Sequence, residues 1–330
     1  MTDNILVIGS GSLVGSRLVE LMNKQGIEIQ EAGSPFDAGL TGLNAFNELD
    51  ITSKEQVESI TNSFPGKYII NFAGLTAVDE IEKNKPKDPT NQQELAQNLT
   101  YKVNVLGTRN LIDACKKTGK FPILISTDFV FDGKNGPYSE EDPIASSPAA
   151  VGWYAWTKIL AEREAIFGGI PYLMMRISYP YIKEYLPKID FARNFLKLYD
   201  EIMANKRESF YPIFDDQILT PTFIDDLTPA VTTLIDKRAS GIYHLASPMT
   251  TTPYNFCCQL LKVARNVANP EALVPKGSMV EFQKNHPELA KRPVKGGLKV
   301  DKIISCGYTP TSWREGIKRA FFLPAIAGVK

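Results

Sequence analysis

Short apolar runs alternate with amphipathic helical patterns through the first half of this chain. The pattern predicts strands at residues 5–8, 27–29, 68–72, 122–126 and 172–176, and helices at residues 13–24, 54–64, 103–118 and 153–167. Such alternation is typical of a doubly wound α/β fold with a parallel sheet. Right-handed crossovers then bring the carboxyl ends of all strands to one edge of the sheet, where we expect the functional residues.

After residue 178 the alternation weakens. The remaining patterns predict helices at 191–203, 254–268 and 312–322, a strand or loop leading into a helix within 218–235, and a strand at 241–245. We therefore expect a main domain of residues 1–178 together with about 219–247. Residues 179–218 and 248–330 are expected to form a smaller mixed lobe, interleaved with the main domain.

Composition excludes several classes of protein. Among 330 residues, 37 are Lys or Arg and 37 are Asp or Glu, so the formal net charge is zero, which argues against a nucleic-acid binder. No run is long enough for a membrane span, and the N-terminus lacks the basic segment of a signal peptide. Four cysteines and two histidines do not form a zinc-ligand pattern. We expect a cytoplasmic protein without a metal, in which Cys257 and Cys258 are buried.

A glycine-rich loop follows the first predicted strand and opens the first predicted helix. Its residues are Gly9, Ser10, Gly11, Ser12, Leu13, Val14 and Gly15. The spacing fits Gly-x-Gly with Gly15 one residue late, or Gly-x-x-Gly-x-x-Gly with Ser12 at the middle glycine. Small residues at a helix N-terminus let backbone N–H groups approach a pyrophosphate. The loop therefore predicts a dinucleotide site.

The loop does not decide which dinucleotide binds. Glu31 lies near the position where NAD sites carry an acid, but in a weakly defined strand. Arg17 could meet a 2′-phosphate, or could be a surface arginine. Both NADH and NADPH remain candidates.

Tyr154 and Lys158 form a pair on the predicted 153–167 helix. Their spacing of four places both side chains on one helical face. A nearby ammonium favours the phenolate, so we expect it to lower the tyrosine pKa and make Tyr154 a general acid/base. Thr127, at the end of a predicted strand, could hold a substrate oxygen beside it.

Several segments follow one another in an order that is typical of a known family: residues 49–52, 71–79, 103–104, 126–133, 138–143, the Tyr154/Lys158 pair, 216–222, 292–293 and 312–315. Together they resemble the motifs of the extended short-chain dehydrogenase/reductase superfamily and, within it, the dTDP-4-dehydrorhamnose reductase family. The segments Ser-Thr-Asp-Phe-Val-Phe-Asp-Gly and Asp-Gln-Ile-Leu-Thr-Pro-Thr are the most specific of these. The resemblance covers essentially the whole chain and implies a Rossmann-like fold with a C-terminal substrate lobe.

The resemblance also implies roles for individual residues. Thr127, Tyr154 and Lys158 match the catalytic residues, and Lys158 would also hold the nicotinamide ribose. The other implied cofactor-binding residues, besides the glycine loop, are Asp50 and Ile51 at the adenine, Ala73, Gly74 and Thr76 at the nicotinamide, and Asn104, which positions the lysine through water. The implied sugar-binding residues are Thr76, Asp128, Phe129, Tyr154 and Tyr179. No metal ligand is implied.

Three features depart from the family pattern. Tyr179 stands where the family has a tryptophan, Ser12 replaces the middle glycine, and the polar segment 83–98 is longer than expected. The first and third of these features concern the sugar side, where the exact sugar and nucleotide are decided.

The function implied by the resemblance is NADPH- or NADH-dependent reduction of a nucleotide-linked 4-keto-6-deoxysugar in dTDP-rhamnose synthesis, by an enzyme that could be a homodimer. Two alternatives stay open. One is a nucleotide-sugar epimerase or dehydratase, although Phe129 replaces the glutamate of the dehydratases. The other is a dinucleotide-binding regulatory subunit such as the β subunit of methionine adenosyltransferase.

Overall fold

The computed structural model describes residues 4–34, 46–182 and 189–321. Its strands are β1 (Ile5–Ile8), β2 (Ile29–Gly33), β3 (Phe46–Glu48), β4 (Tyr68–Asn71), β5 (Phe121–Thr127), β6 (Leu173–Ile177), β7 (Ile213–Phe214), β8 (Gly241–Leu245) and β9 (Lys276–Gly277). Its α-helices are α1 (Leu13–Lys24), α2 (Lys54–Ser63), α3 (Val78–Lys83), α4 (Gln92–Gln97), α5 (Leu99–Tyr101), α6 (Gly107–Thr118), α7 (Trp153–Ile166), α8 (Phe191–Met203), α9 (Leu227–Asp236), α10 (Pro253–Arg265), α11 (Met279–Asn285), α12 (Asp301–Ser305) and α13 (Trp313–Phe321).

Among the described residues, seven parallel strands form the main sheet, in the order β3-β2-β1-β4-β5-β6-β8. The chain runs outward from β1 to β2 and β3, then returns to β4 on the other side of β1. The strand order therefore reverses between β1 and β4, which is where a doubly wound sheet opens its ligand crevice. This architecture confirms the predicted Rossmann-like α/β class.

The second strand differs from its prediction. The apolar residues at 27–29 predicted the strand, but β2 begins at Ile29 and continues to Gly33. Its last three residues, Glu31 to Gly33, are its buried half. Pairing with β1 on one side and β3 on the other imposes the strand on a polar sequence, so apolar periodicity marked only its beginning.

In the part of the chain that the structure describes, three apolar clusters form the core. Two of them pack on the main sheet, and include Val7 and Ile70 in one and Leu6 and Ile69 in the other. The third lies in the C-terminal part, where α8, α10 and α13 bring together residues such as Phe195, Phe256 and Ile317. The predicted helix 191–203 is thus confirmed as α8, and its apolar face has a core of its own.

Cys257 and Cys258 are buried in α10, as the sequence predicts. Across the three described ranges, no helix is both long and apolar enough to span a bilayer.

Candidate active site

A cavity of about 450 Å³ opens at the carboxyl ends of β1, β4, β5 and β6. It lies at the topological switch point of the sheet. The residues singled out from the sequence that line it are Ser12, Leu13, Val14, Ala73, Gly74, Thr76, Thr127, Asp128, Phe129, Tyr154, Lys158 and Tyr179. The fold therefore brings the glycine loop, the Tyr/Lys pair and the expected sugar-binding side chains to a single cavity.

The glycine loop makes a tight turn against β4. Gly9 has φ of +75°, and a Cβ on it would lie 2.5 Å from the backbone nitrogen of Ala73. A Cβ on Gly15 would lie 2.5 Å from the carbonyl oxygen of Gly9. Ser12 is the N-cap of α1, and its Oγ accepts a hydrogen bond from the Gly15 N–H at 3.1 Å. Ser12 therefore has a capping role that glycine could not perform.

Tyr154 lies in the first turn of α7, and its side chain is buried in the cavity wall. Burial raises the pKa of its phenol, the hydrogen bond with Thr127 opposes this, and the negative charge of Asp128 adds to the rise. The prediction that Lys158 lowers this pKa was wrong. Desolvation of the buried phenol outweighs the contacts that favour its charged form, so the phenol keeps its proton at neutral pH.

Lys158 lies one turn further along α7. Its Nζ donates a hydrogen bond to the carbonyl oxygen of Ile125 in β5 at 2.7 Å. Burial lowers the pKa of Lys158 to about 8, while the negative charge of Glu162 opposes the shift. The ammonium therefore titrates close to the neutral range.

Asp128 is almost fully buried directly after β5. Its Oδ2 accepts a hydrogen bond from Ser178 Oγ at 2.8 Å, and its Oδ1 accepts one from Thr127 Oγ1 at 3.3 Å. Burial raises the pKa of Asp128 to about 6, and these hydroxyl donors oppose the rise. The carboxyl group links the end of β5 to the end of β6.

Aromatic rings line the other side of the cavity. The Phe129 ring packs edge-on against Tyr154, with centroids 6.0 Å apart, and lies 5.8 Å from Tyr179. Tyr179 has φ of +41°, an uncommon value for a tyrosine. Its hydroxyl accepts a hydrogen bond from Gln217 Nε2 at 2.8 Å, and its ring packs on Phe191. Residues distant in sequence therefore fix the orientation of Tyr179.

Asn104 lies outside the cavity lining, in a π-helical turn over Lys102–Leu106. Its side chain exchanges two hydrogen bonds with the backbone of Leu75 and donates to Thr157 Oγ1 at 3.1 Å. These bonds tie the Gly74–Leu75 segment to α7. The side chain thus holds the segment after β4 in place beside the lysine helix.

Other predicted residues also lie outside the cavity lining. Gly9 and Gly15 shape the turn behind it, and Gly11 lies in the same turn. Asp50 is exposed and accepts hydrogen bonds from Thr52, whereas Ile51 is buried.

Several lining residues were not among the sequence predictions. Pro180, Ile189, Asp190, Phe191 and Asn194 come from the segment after β6, and Glu162 lies four residues after Lys158. The helical spacing of Glu162 could have been recognised from the sequence. The others have no motif, since their position depends on how the C-terminal lobe folds back.

Arg17 and Glu31, the two residues that could select between NADPH and NADH, have different surroundings. Arg17 is buried, and its guanidinium donates to both carboxylate oxygens of Asp225 at 2.7 Å and to Glu20. This pairing disfavours Arg17 as a ligand for a 2′-phosphate. Glu31 is buried within β2, and burial raises its pKa.

The polar segment 83–98 contacts the start of the tyrosine helix through its flanks. Glu82 Oε2 accepts a hydrogen bond from the Trp153 N–H at 2.7 Å, and Asn98 Oδ1 accepts one from Trp153 Nε1 at 3.2 Å. Gly152, the N-cap of α7, has no side chain to do this. Glu82 therefore serves as the missing cap and complements the helix dipole.

Comparison with known proteins agrees with this arrangement. The RmlD substrate binding domain matches residues 3–323. The chain belongs to the RmlD substrate binding domain family. It is 29% identical over 326 residues to dTDP-4-dehydrorhamnose reductase of Aggregatibacter actinomycetemcomitans, and the alignment covers 95% of this chain and 97% of that protein.

The same similarity extends to other members and to a solved structure. Identity with dTDP-4-dehydrorhamnose reductase of Escherichia coli K12 is 27% over 323 residues, 96% of each chain. The crystal structure of dTDP-4-dehydrorhamnose reductase from Bacillus anthracis in complex with NADP matches 97% of this chain and 99% of that chain, with a TM-score of 0.75 and 24% identity. The resemblance drawn from the motifs is therefore confirmed at the level of family and fold.

Proposed function

We propose that this protein uses NADPH or NADH to reduce the keto group of a nucleotide-linked 4-keto-6-deoxysugar, as a dTDP-4-dehydrorhamnose reductase. The observation that carries the proposal is the single cavity shared by the glycine loop, Thr127, Tyr154 and Lys158. Membership of the family and the names of its similar members support the same reaction.

The residues around the glycine loop fit a dinucleotide. Ser12, Leu13 and Val14 line the cavity at the N-terminus of α1, where backbone N–H groups favour a pyrophosphate. Ala73, Gly74 and Thr76 line the cavity beside them, after β4. When bound, the reduced nicotinamide supplies the hydride for the carbonyl carbon.

The protein's own side chains manage the proton and the developing negative charge. Tyr154 holds its proton at neutral pH and is placed to donate it to the alkoxide oxygen. The Thr127 hydroxyl, whose single proton points to Asp128 Oδ1 in this structure, would turn to donate a hydrogen bond to the same oxygen when the sugar is bound. Lys158, as an ammonium, stabilises the phenolate left on Tyr154 and holds the ribose hydroxyls of the cofactor.

The sugar is assigned to the aromatic side of the cavity. Phe129 and Tyr179 form an apolar wall, and Asp128 and Thr76 supply polar contacts. Phe129 also favours reduction over elimination, because a dehydratase needs a carboxyl group at this position. The neighbouring Asp128 carboxyl is already engaged by Ser178 and Thr127.

The proposal includes a division of the chain. Residues 1–178 with about 219–247 would bind the dinucleotide, and residues 179–218 with 248–330 would bind the sugar. The separate core around Phe256 supports the second unit. A homodimer is also part of the proposal, and sedimentation velocity on the purified protein tests it.

The function is tested by following NADPH and NADH oxidation with dTDP-4-dehydrorhamnose. We expect turnover by the wild type, and a loss on the order of 10²–10⁴-fold in kcat for Tyr154→Phe. The control is Tyr211→Phe, because the Tyr211 side chain is half exposed and lies outside the cavity lining. Cofactor binding without turnover by the wild type would contradict the proposal and favour the regulatory subunit.

A further inference from the structure

A buried charged cluster lies directly behind the proposed catalytic residues. Its members are Ser126, Glu162, Arg176 and His244, and each is at most 3% exposed. Arg176 donates to the two carboxylate oxygens of Glu162 at 2.9 and 2.7 Å, and Ser126 Oγ donates to Glu162 Oε1 at 2.5 Å. The Glu162 carboxylate is therefore the centre of this cluster.

This carboxylate connects the elements that carry the reaction. Ser126 immediately precedes Thr127 in β5, and it is in register with Arg176 in β6. Glu162 itself lies on α7, two turns after Tyr154. A single side chain thus fixes the helix that holds the tyrosine against the strand that holds the threonine.

The same carboxylate lies in line with the proposed proton donor and its lysine. Tyr154, Lys158 and Glu162 are spaced by four residues and share one face of α7. All three line the cavity. Glu162 is thus one helical turn from Lys158, with Glu162 buried and Lys158 partly buried in the cavity wall.

Stability alone is a weak explanation for this ion pair. A fully buried Arg–carboxylate pair is often no more stabilising than apolar side chains of the same volume, because both charges lose their hydration. The position of the pair, in the wall of the reaction cavity, gives it a more specific role.

We infer that Glu162 is a positioning residue that fixes Thr127 relative to Tyr154 and holds a negative charge one helical turn from Lys158. The inference rests on the proposed function, because it assigns Glu162 to that same site. The carboxylate does not touch the reacting atoms, and it acts through Ser126 and Lys158.

Charges around Lys158 determine the direction of the expected pH effect. Glu162 on α7 raises the pKa of Lys158, whereas burial lowers it to about 8. Asp128 after β5 is a further carboxyl group in the cavity, and Arg176 in β6 is a cation beside Glu162. His244 in β8 stays neutral, since burial and then Arg176 lower its pKa to about 3. Removing the Glu162 charge should therefore let Lys158 lose its proton at lower pH.

The test compares Glu162→Gln with Glu164→Gln. Glu164 lies on the same helix and also pairs through two hydrogen bonds, to Arg109, but it is partly exposed and outside the cavity lining. With NADPH and dTDP-4-dehydrorhamnose, we expect Glu162→Gln to lower kcat roughly 10–100-fold with the KM for the sugar nucleotide nearly unchanged. The alkaline limb of its pH profile should move down by about one pH unit. Glu164→Gln should retain wild-type values.

A second variant separates positioning from folding. Glu162→Gln combined with Arg176→Met removes both charges, so no unpaired buried charge remains to unfold the protein. We expect this variant to melt near the wild-type temperature yet to keep the lowered kcat. Wild-type kcat in this double variant would overturn the inference and leave a purely structural pair.

NADPH binding can be measured through the fluorescence of NADPH and requires no sugar. It therefore tests the role of Glu162 separately from the proposed reductase function. If Lys158 holds the ribose as a cation, NADPH affinity falls as pH rises through the pKa of Lys158. We expect the midpoint of this fall to lie about one pH unit lower in Glu162→Gln than in the wild type. Equal midpoints would refute the role of Glu162, whereas a shifted midpoint without turnover of the sugar would refute only the reductase assignment.

Discussion

The turn at Gly9 provides a quantitative test of the cofactor loop. Its φ of +75° lies in the left-handed region, and a Cβ would lie 2.5 Å from Ala73 N and 2.8 Å from the carbonyl carbon of Phe72. Both contacts are with backbone, and the Ala73 N–H is itself bonded to Asn71 Oδ1. Gly9→Ala therefore cannot be accommodated by a rotating side chain.

The expected cost has two parts. The left-handed conformation disfavours alanine by about 1–2 kcal/mol. Displacing the loop from β4 to make room for the methyl group adds about 1–3 kcal/mol. We therefore expect Gly9→Ala to lower the free energy of unfolding by roughly 2–5 kcal/mol.

Gly119 offers a matched control. It has φ of +68° after α6, and a Cβ on it would meet no atom within 4 Å. Gly119→Ala therefore carries the conformational cost alone, about 1–2 kcal/mol. When the m-values are equal, urea unfolding midpoints measure the difference in the free energy of unfolding between the two variants. NADPH titration should show weakened binding only for Gly9→Ala. Equal unfolding midpoints for both variants would refute the argument that the loop is packed against β4.

Three further predictions concern pH and the tyrosine helix. Burial raises the pKa of Asp128 from 3.8 to about 6, so the folded protein binds a proton more tightly than the unfolded chain. The free energy of unfolding should therefore fall as pH rises from about 4 to 6. Urea midpoints at several pH values should show this fall in the wild type and not in Asp128→Asn. Glu82→Gln should weaken the cap at the Trp153 N–H, lowering the free energy of unfolding by about 0.5–2 kcal/mol and reducing kcat. The control Glu80→Gln, at an exposed residue, should change neither quantity in melting and activity assays. The pKa of His244 is lowered from 6.5 to about 3, so stability is lost as pH falls below 6.5, by about 4 kcal/mol at pH 3. His244→Gln should abolish that loss, and an unchanged acid limb of the unfolding curve would contradict the burial argument.

Local patterns of the sequence were sufficient for much of the fold. The helices Leu13–Lys24 and Phe191–Met203 have the predicted bounds, because each has a clear apolar face and a capping side chain, Ser12 and Asp190. The strand β2 was misplaced because its polar residues are held by pairing on both sides. The short strand β3 has no apolar pattern of its own, so it could not be predicted.

The candidate site shows the same distinction. That Tyr154, Lys158 and Thr127 lie at one cavity could be predicted from their spacing and from the motifs around them, because helical geometry and parallel topology fix where such residues must lie. The pKa of Tyr154 could not be predicted, since its direction depends on burial by residues far away in the chain.

The sequence by itself determined the fold class, the glycine loop and the proposed catalytic residues, because these depend on local periodicity and on short motifs. Only the tertiary structure decided that Glu82 caps the tyrosine helix, that Asp225 engages Arg17, and that Glu162 joins β5, α7 and β6. These contacts connect residues up to 208 positions apart. Their charged and polar groups meet only when folding removes them from water, where a buried polar group needs a partner.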